Sequence, residues 1–409
     1  MASMKRADPT PSSHPEVAFV LELGRALQTF GVSAATLETA LGRVADHLGL
    51  EGALYATPTG FLASLRKEGH HSKTYLQRIE AGESNLEKLA EAEGLVDLVL
   101  QGEVDVAGAR ARLAALKARP NRYGATRVIG AFGLSGLGVA RCFEGGWREM
   151  LLGALLGLLV GLAVTSLQRR HNLNRLAPLL GGLVSAAGSA LLAGLLSPAS
   201  QAILILCGII VLVPGLGLLV SMQELGTGNL VSGTARLAGT GLVFVLLAFG
   251  VGLGQRMVGT LQPPPMDPVP LPAWTLVPAL ALTALSFLVV FQGRMEDYGW
   301  TLAATVLGWG AARIGTQMLG PEAGAGLAAL VLGSACNLWA RRTRRPGATL
   351  LLPSLMLILP GSLGFRSLTL MLHQQPLEGL QAGFQAMVVT IALMLGLLLA
   401  NATVSRRSF

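Results

Sequence analysis

The sequence predicts a polytopic α-helical membrane protein, with ten transmembrane helices in two inverted five-helix repeats behind a small cytoplasmic α+β domain. Three observations carry that prediction. Of 409 residues, 52% are hydrophobic and only 13% charged, against about 25% charged in a soluble domain. Residues 1–123 hold 14 Lys+Arg and 15 Asp+Glu, whereas residues 124–409 hold 17 Arg, no Lys and 8 Asp+Glu. A Pro-Gly pair inside an apolar run occurs twice, at Pro214-Gly215 and Pro360-Gly361. Such a composition excludes a soluble globular enzyme, a disordered chain and a disulfide scaffold. The net charge of +8 is no nucleic-acid footprint, because the excess sits in the apolar part and marks cytoplasmic loops there.

Residues 1–14 read as a disordered, Pro/Ser-rich tail, and residues 15–122 as the cytoplasmic domain. The first apolar stretch, Val17 to Leu27, is broken by Glu22 and Arg25. It is amphipathic and not a signal peptide, so the N-terminus is expected inside. Val20, Leu23, Leu27 and Phe30 recur at helical spacing, and Leu37, Leu41, Val44 and Leu48 form the face of a second helix that stops at Gly49. Leu54–Thr57, Phe61–Leu65 and Thr74–Ile79 read as strands, with Thr57-Pro-Thr-Gly60 as a turn. Ser84-Asn-Leu-Glu87 reads as a capping box, and Asp105 as the cap of the last helix of the domain.

Ten apolar stretches follow, near 125–142, 147–167, 176–196, 202–222, 233–255, 273–292, 300–318, 323–340, 348–371 and 377–402. Each approaches the roughly 20 residues that cross ~30 Å of hydrocarbon. The first is the weakest, being Gly-rich with Arg127 and Arg141 at its ends. With the N-terminus inside, the predicted cytoplasmic loops hold ten Arg, among them Arg169, Arg170, Arg341, Arg342 and Arg345. The predicted external segments are Glu144–Arg148, Ser197–Gln201, 256–272, Leu319–Glu322 and His373–Pro376, and they hold only Arg148 and Arg256. The asymmetry fits ten spans with both termini inside. A Pro-rich external linker, 257–272, separates a first repeat at 123–256 from a second at 273–409.

The two Pro-Gly pairs fall in the fourth span of each half, 146 residues apart. At this offset Ser221 aligns with Ser367 and Gly233 with Gly379. Five spans per half makes the repeats inverted. Proline removes a backbone hydrogen bond and glycine frees the local turn. Paired breaks at corresponding places of inverted repeats point to a transport site, although a single Pro-Gly would indicate no more than a packing kink. Arg236, Arg313 and Arg366 lie within or at the ends of spans. A charge there faces a bundle interior or cavity, or snorkels to the interface. Arg366 follows the second break and suits a carboxylate, which a guanidinium holds with two parallel bonds. The candidate substrate-binding residues are therefore Pro214, Gly215, Ser221, Arg236, Pro360, Gly361, Arg366 and Ser367. Glu224, at the end of the fourth span, is a candidate proton-coupling group, a partner of Arg236 or a loop residue. Neither the three cysteines nor the six histidines have a metal-site or disulfide spacing, and no cofactor is expected.

The chain resembles the threonine/serine exporter family over about residues 16–402. The resemblance rests on Arg25, Gly31-Val-Ser-Ala-Ala-Thr-Leu-Glu38, Thr57-Pro-Thr59, Asn85-Leu-Glu-Lys-Leu89 and Phe143-Glu-Gly-Gly-Trp147. In the spans it rests on Pro214-Gly215, the Gly233–Leu237 run with Arg236, and Pro360-Gly361 followed by Arg366. It implies ten spans in a bacterial inner membrane, a cytoplasmic N-terminal domain, and export of small hydrophilic metabolites driven by the proton motive force. Some relatives split these parts between two polypeptides and are linked to dicarboxylate export.

Three readings stay open from the sequence. One is an exporter of threonine, serine or similar amino acids. The second is a dicarboxylate exporter of succinate type, which the scarcity of intramembrane acids and the three Arg favour. The third is a membrane-anchored hydrolase working through residues 15–120. That domain lacks a nucleophile elbow, a metal motif and a phosphate loop, and Thr57-Pro-Thr59 reads as a turn. The expected partners are a small-molecule substrate, protons and the bilayer; a homo-oligomer is allowed and no nucleic acid is expected.

Overall fold

The structure is a computed structural model that describes residues 14–79, 85–168, 173–196, 198–259, 267–269, 271–343, 345–372 and 375–404. The expected tail, the start of the capping box at Ser84, most of the Pro-rich linker and several loop arginines lie outside the described residues. The chain divides into two compact units. One runs to Pro120 and takes in Glu224–Ser232; the other comprises Asn121–Gln223 and Gly233–Arg406.

In the first unit, α1 (Pro15–Thr29) and α2 (Ala34–His47) are followed by β1 (Leu50–Thr57), β2 (Gly60–Lys67) and β3 (Lys73–Arg78), then α3 (Leu86–Leu100) and α4 (Val106–Ala118). The strands form an antiparallel meander in the order β1-β2-β3. Thr57 pairs with Gly60, so Pro58-Thr59 is the two-residue turn of the first hairpin. Phe61, Ala63 and Leu65 line one face of β2 and are buried, as their alternation predicts. Phe19, Leu23 and Leu27 of α1 and Leu37, Leu41 and Val44 of α2 are buried as well, and α1 packs against β2. Between the two helices Gly31 has φ 101°, a left-handed conformation that glycine adopts without strain. The Val32 N–H then reaches back to the Leu27 carbonyl at 3.2 Å. Helix α3 is capped by Asn85, whose side chain accepts from Lys88 N at 3.0 Å. That is one residue later than the expected cap at Ser84.

The second unit is helical among its described residues. Its first helices are α5 (Ala125–Cys142), α6 (Trp147–Gln168), α7 (Ala177–Leu195), α8 (Gln201–Ile209), α9 (Gly215–Gly226) and α10 (Leu230–Val258). The others are α11 (Leu276–Val290), α12 (Tyr298–Leu319), α13 (Pro321–Thr343), α14 (Ala348–Leu355), α15 (Gly361–Leu372) and α16 (Pro376–Thr403). Six helical stretches are long and apolar enough to cross a membrane: Trp147–Gln168, Asn174–Leu195, Leu230–Val258, Ala273–Val290, Pro321–Thr343 and Pro376–Thr403. The chain is thus a polytopic helical membrane protein, and length with apolarity carries six of the ten expected spans. Four of the remaining helices, α8, α9, α14 and α15, are the short pieces on either side of the Pro-Gly pairs.

Small residues set the packing, as expected where lipid gives no hydrophobic drive and close backbone approach must supply the attraction. A side chain at Gly136 or Gly157 of α5 and α6 would strike the backbone of the opposite helix. The same holds for Gly250 and Gly254 against α7 and for Gly396 against α13.

Candidate functional site

The two Pro-Gly segments interrupt their helices in the same way. At the first, Leu212 N and Val213 N both donate to the Ile209 carbonyl at 2.7 and 3.0 Å, and Leu218 N donates to Pro214 O at 3.1 Å. At the second, Ile358 N and Leu359 N donate to the Leu355 carbonyl at 2.8 and 3.0 Å, and Gly364 N donates to Pro360 O at 3.0 Å. Every one of these donors and acceptors has its counterpart 146 residues away. Proline cannot donate, so the helix closes on a tight turn before it and restarts after it.

The two breaks touch. A methyl group on Gly361 would collide with Val213 and lie 3.5 Å from the Gly215 Cα, and one on Gly215 would lie 3.0 Å from the Leu359 Cβ. The side chains beyond the breaks are exchanged. Phe365 of α15 is buried in a cluster with Ile209, Val213, Leu247 and Val251. Leu219 of α9 is buried in another, with Leu355, Leu359, Leu393 and Leu397. Each of the five residues named in one cluster sits 146 positions from one named in the other, 219 with 365 included.

Around this centre the named polar residues divide. Pro360 and Gly361 are buried, as is Gly215, and Pro214 is half-buried. Ser221 is buried and donates to the Leu218 carbonyl of its own helix at 2.7 Å. Ser367 donates to the Gly379 carbonyl at 2.6 Å and so fastens α15 to α16. Both hydroxyl protons are spent within the protein. Arg236 is half-buried on α10 and has a partner. Arg366 is exposed on α15, and its guanidinium has no hydrogen bond or ion pair among the described residues. It stands about 8 Å along the helix from Gly361, at 1.5 Å per residue. Arg313 is exposed and lies 3.4 Å from Glu144.

Glu224 does not stand beside the breaks. It is 1% exposed and folds with the first unit. One carboxylate oxygen accepts from the backbone N–H of Ala34 at 3.1 Å, the other from the Ser232 hydroxyl at 2.9 Å.

Sequence reasoning passed over a second buried carboxylate. Glu149, 3% exposed, accepts from Gly146 N at 2.9 Å and from Ser200 N at 3.0 Å. A Glu at the third position of a helix reaching back to the residue before it is half of a capping box, a signal present in Gly146-Trp-Arg-Glu149. The segments expected outside meet here. Gly146–Glu149, Pro198 and Asp267, Val269 and Leu271 line one cavity of about 230 Å³, and Arg141 donates to Thr275 at 2.7 Å. The segments expected inside also meet. Tyr123 N donates to Gln292 at 2.8 Å, Arg345 to Asp297 at 2.5 Å, and Asn337 to the Val404 carbonyl at 3.0 Å.

Comparison with known proteins matches two threonine/serine exporter families, one over residues 18–258 and one, described as "Threonine/Serine exporter, ThrE", over residues 277–403. The "Threonine/serine exporter" of Corynebacterium glutamicum is 27% identical over 332 residues, covering 78% of this chain and 67% of its own. A "Probable threonine/serine exporter" of Mycobacterium tuberculosis is 26% identical, covering 80% of this chain and 64% of its own. "Pheromone-regulated membrane protein 10" of Candida albicans is 26% identical over 60% of this chain but only 22% of its own length. No solved structure matches.

Proposed function

The chain belongs to the threonine/serine exporter family, and from that premise we propose that it is a secondary exporter of small hydrophilic amino acids, of the threonine/serine type, driven by the proton motive force. Ten spans, counting each broken helix once, run as two inverted repeats with both termini in the cytoplasm. The observation that carries the reading is the contact between two equivalent helix breaks. Discontinuous helices at a repeat interface expose backbone donors and acceptors to a substrate without exposing them to lipid. Equivalent hydrogen bonds 146 residues apart support the repeat. The meeting of outside segments with outside segments, and of inside with inside, supports the span count.

In this mechanism the substrate sits beside Pro214-Gly215 and Pro360-Gly361. Arg366 takes the carboxylate, since its charge is uncommitted among the described residues, and the half-helix N-termini after each proline add partial positive charge. Backbone carbonyls at the unwound turns accept from the ammonium group. Arg236 lines the same path from α10, Ser221 lies on α9, and Ser367 fastens α15 to α16 beside it. Closure of the two breaks against each other alternates access between the two sides of the membrane.

Transport in proteoliposomes under an imposed proton gradient, with labelled threonine, serine and succinate, tests the reading. Gradient-dependent movement of threonine or serine is expected. Movement of succinate alone would replace it with dicarboxylate export, the reading that the exposed cations Arg313 and Arg366 favour. No movement of any of the three by folded protein would remove the substrate assignment.

A further inference from the structure

The structure assigns Glu224 a second part in the molecule: it is a latch by which the N-terminal domain holds the helix that leaves the first break, and it works through hydrogen bonds, not by carrying a proton. The inference rests on the transport reading only in placing that break at the substrate path.

Three features build the latch. The first is the receptor. Ala34 is the first residue of α2, and its N–H is one of the donors that a helix start leaves without an intrahelical partner. Ser33 before it already caps the helix, accepting from Thr36 N. The first turn of α2 contains no acidic residue, so Glu224 supplies the negative charge that a helix N-terminus favours. Gly31 and Ser33, both in the stretch 31–38 that carries the family resemblance, shape this receptor.

The second is the stiffness of the connector. Helix α9 ends in two nested bonds, Asn229 N to Glu224 O at 2.8 Å and Gly228 N to Leu225 O at 3.1 Å, with Gly228 at φ 84°. That is a Schellman cap. Thr227 Oγ1 also donates to Glu224 O at 3.2 Å. Ser232, in the first turn of α10, completes the clasp on the carboxylate. The connector is therefore a rigid corner and not a slack loop. The third is the lever. Gly215 to Glu224 is one uninterrupted helix, about 14 Å long at 1.5 Å per residue. A rotation of α9 about the Pro214-Gly215 turn must move the carboxylate or carry α2 with it.

Four proteins in proteoliposomes test this: wild type, Glu224→Ala, Glu224→Gln and Ala34→Pro. In Glu224→Gln the amide side chain can keep both bonds, its carbonyl accepting from Ala34 N and its NH2 donating to the Ser232 hydroxyl, but it cannot carry a proton. Proline is tolerated at the first position of a helix, and Ser33, at φ −69° and ψ 156°, already has the backbone that a residue before proline requires. Ala34→Pro thus deletes the N–H donor and leaves α2 formed. Transport is expected to fall at least tenfold in Glu224→Ala and in Ala34→Pro and to stay within threefold of wild type in Glu224→Gln. Loss in Glu224→Gln equal to that in Glu224→Ala overturns the latch, as does normal transport by Ala34→Pro.

Hydrogen exchange gives a readout that needs no substrate. The Ala34 amide is expected to be protected in wild type and Glu224→Gln, and at least tenfold less protected in Glu224→Ala. Equal protection in all three overturns the proposal, even where Ala34→Pro does not reach the membrane or the substrate assignment proves wrong.

Discussion

The two broken helices share a backbone and differ in the side chains beyond it. In α8–α9 and α14–α15 the turns before the prolines close with the same hydrogen bonds, and each second piece sends one apolar side chain into the opposite cluster. Further along they part. In its last turn helix α9 carries Glu224, buried and bonded on both oxygens. Helix α15 carries Arg366, exposed and uncommitted among the described residues. On the transport reading proposed above, the paired breaks give the bundle two joints, and the unequal side chains give those joints different work. On that reading one limb is anchored to a domain and the other presents charge to a ligand.

Four sets of substitutions separate the two limbs and what holds them. Arg366→Ala should cut transport about 10- to 100-fold, the worth of charge-assisted hydrogen bonds at about 1.5–3 kcal/mol, with the protein still folded in the membrane. Retained transport would remove the functional difference between the limbs. Alanine at the joint itself comes next. Gly361→Ala should cost about 1–3 kcal/mol of overpacking, because its methyl collides with Val213. Gly215→Ala should cost less, having 3.0 Å to Leu359. Thermal unfolding in detergent ranks the two, and a reversed order would mean that the first joint is the tighter.

Glu149→Ala leaves the buried Gly146 N–H and the half-buried Ser200 N–H unpaired, at about 1–3 kcal/mol for the buried one and less for the other. Faster exchange at Gly146 and Ser200 should report it, with Glu149→Gln milder. That variant asks whether the start of α8 is held as firmly as the end of α9. The smallest effect belongs to the domain alone. Lys67 donates to Glu16 at 2.9 Å and holds that carboxyl below its ordinary range. The pair is half-exposed, so it stabilises by no more than ~0.5 kcal/mol. That contribution is complete above the unfolded carboxylate pKa, near about 4.3, and fades as pH falls through the lowered folded value. Lys67→Met should abolish this acid-side dependence in the exchange of α1 amides.

What the sequence made legible was periodic or local. The alternation of Phe61, Ala63 and Leu65 placed the buried face of β2, and the Pro-Gly pairs placed both breaks to the residue. The cap of α3 was missed by one position, because Ser84 and Asn85 are both good caps and propensity does not choose between neighbours. The contact of Glu224 with Ala34 was not legible at all. Its donor is a backbone N–H 190 residues away, and a main-chain group leaves no mark in composition. Arg313 met the same limit, since Glu144 lies 169 residues off. Glu149 is the opposite case: its Gly-x-x-Glu spacing is a local signal, masked by the apolar run that the same residues open.

The exchange of Leu219 and Phe365 bears on how the protein is made. When the first half leaves the ribosome, its core still lacks a ring that will not be synthesised for on the order of ten seconds. Until then the pocket among Ile209, Val213 and Leu247 stands unfilled, and Leu219 has no home of its own. Neither half is a finished product by itself. Insertion must therefore keep the early helices within reach of the late ones, and a chain cut between the halves would have to assemble from two incomplete parts, each supplying the plug for the other.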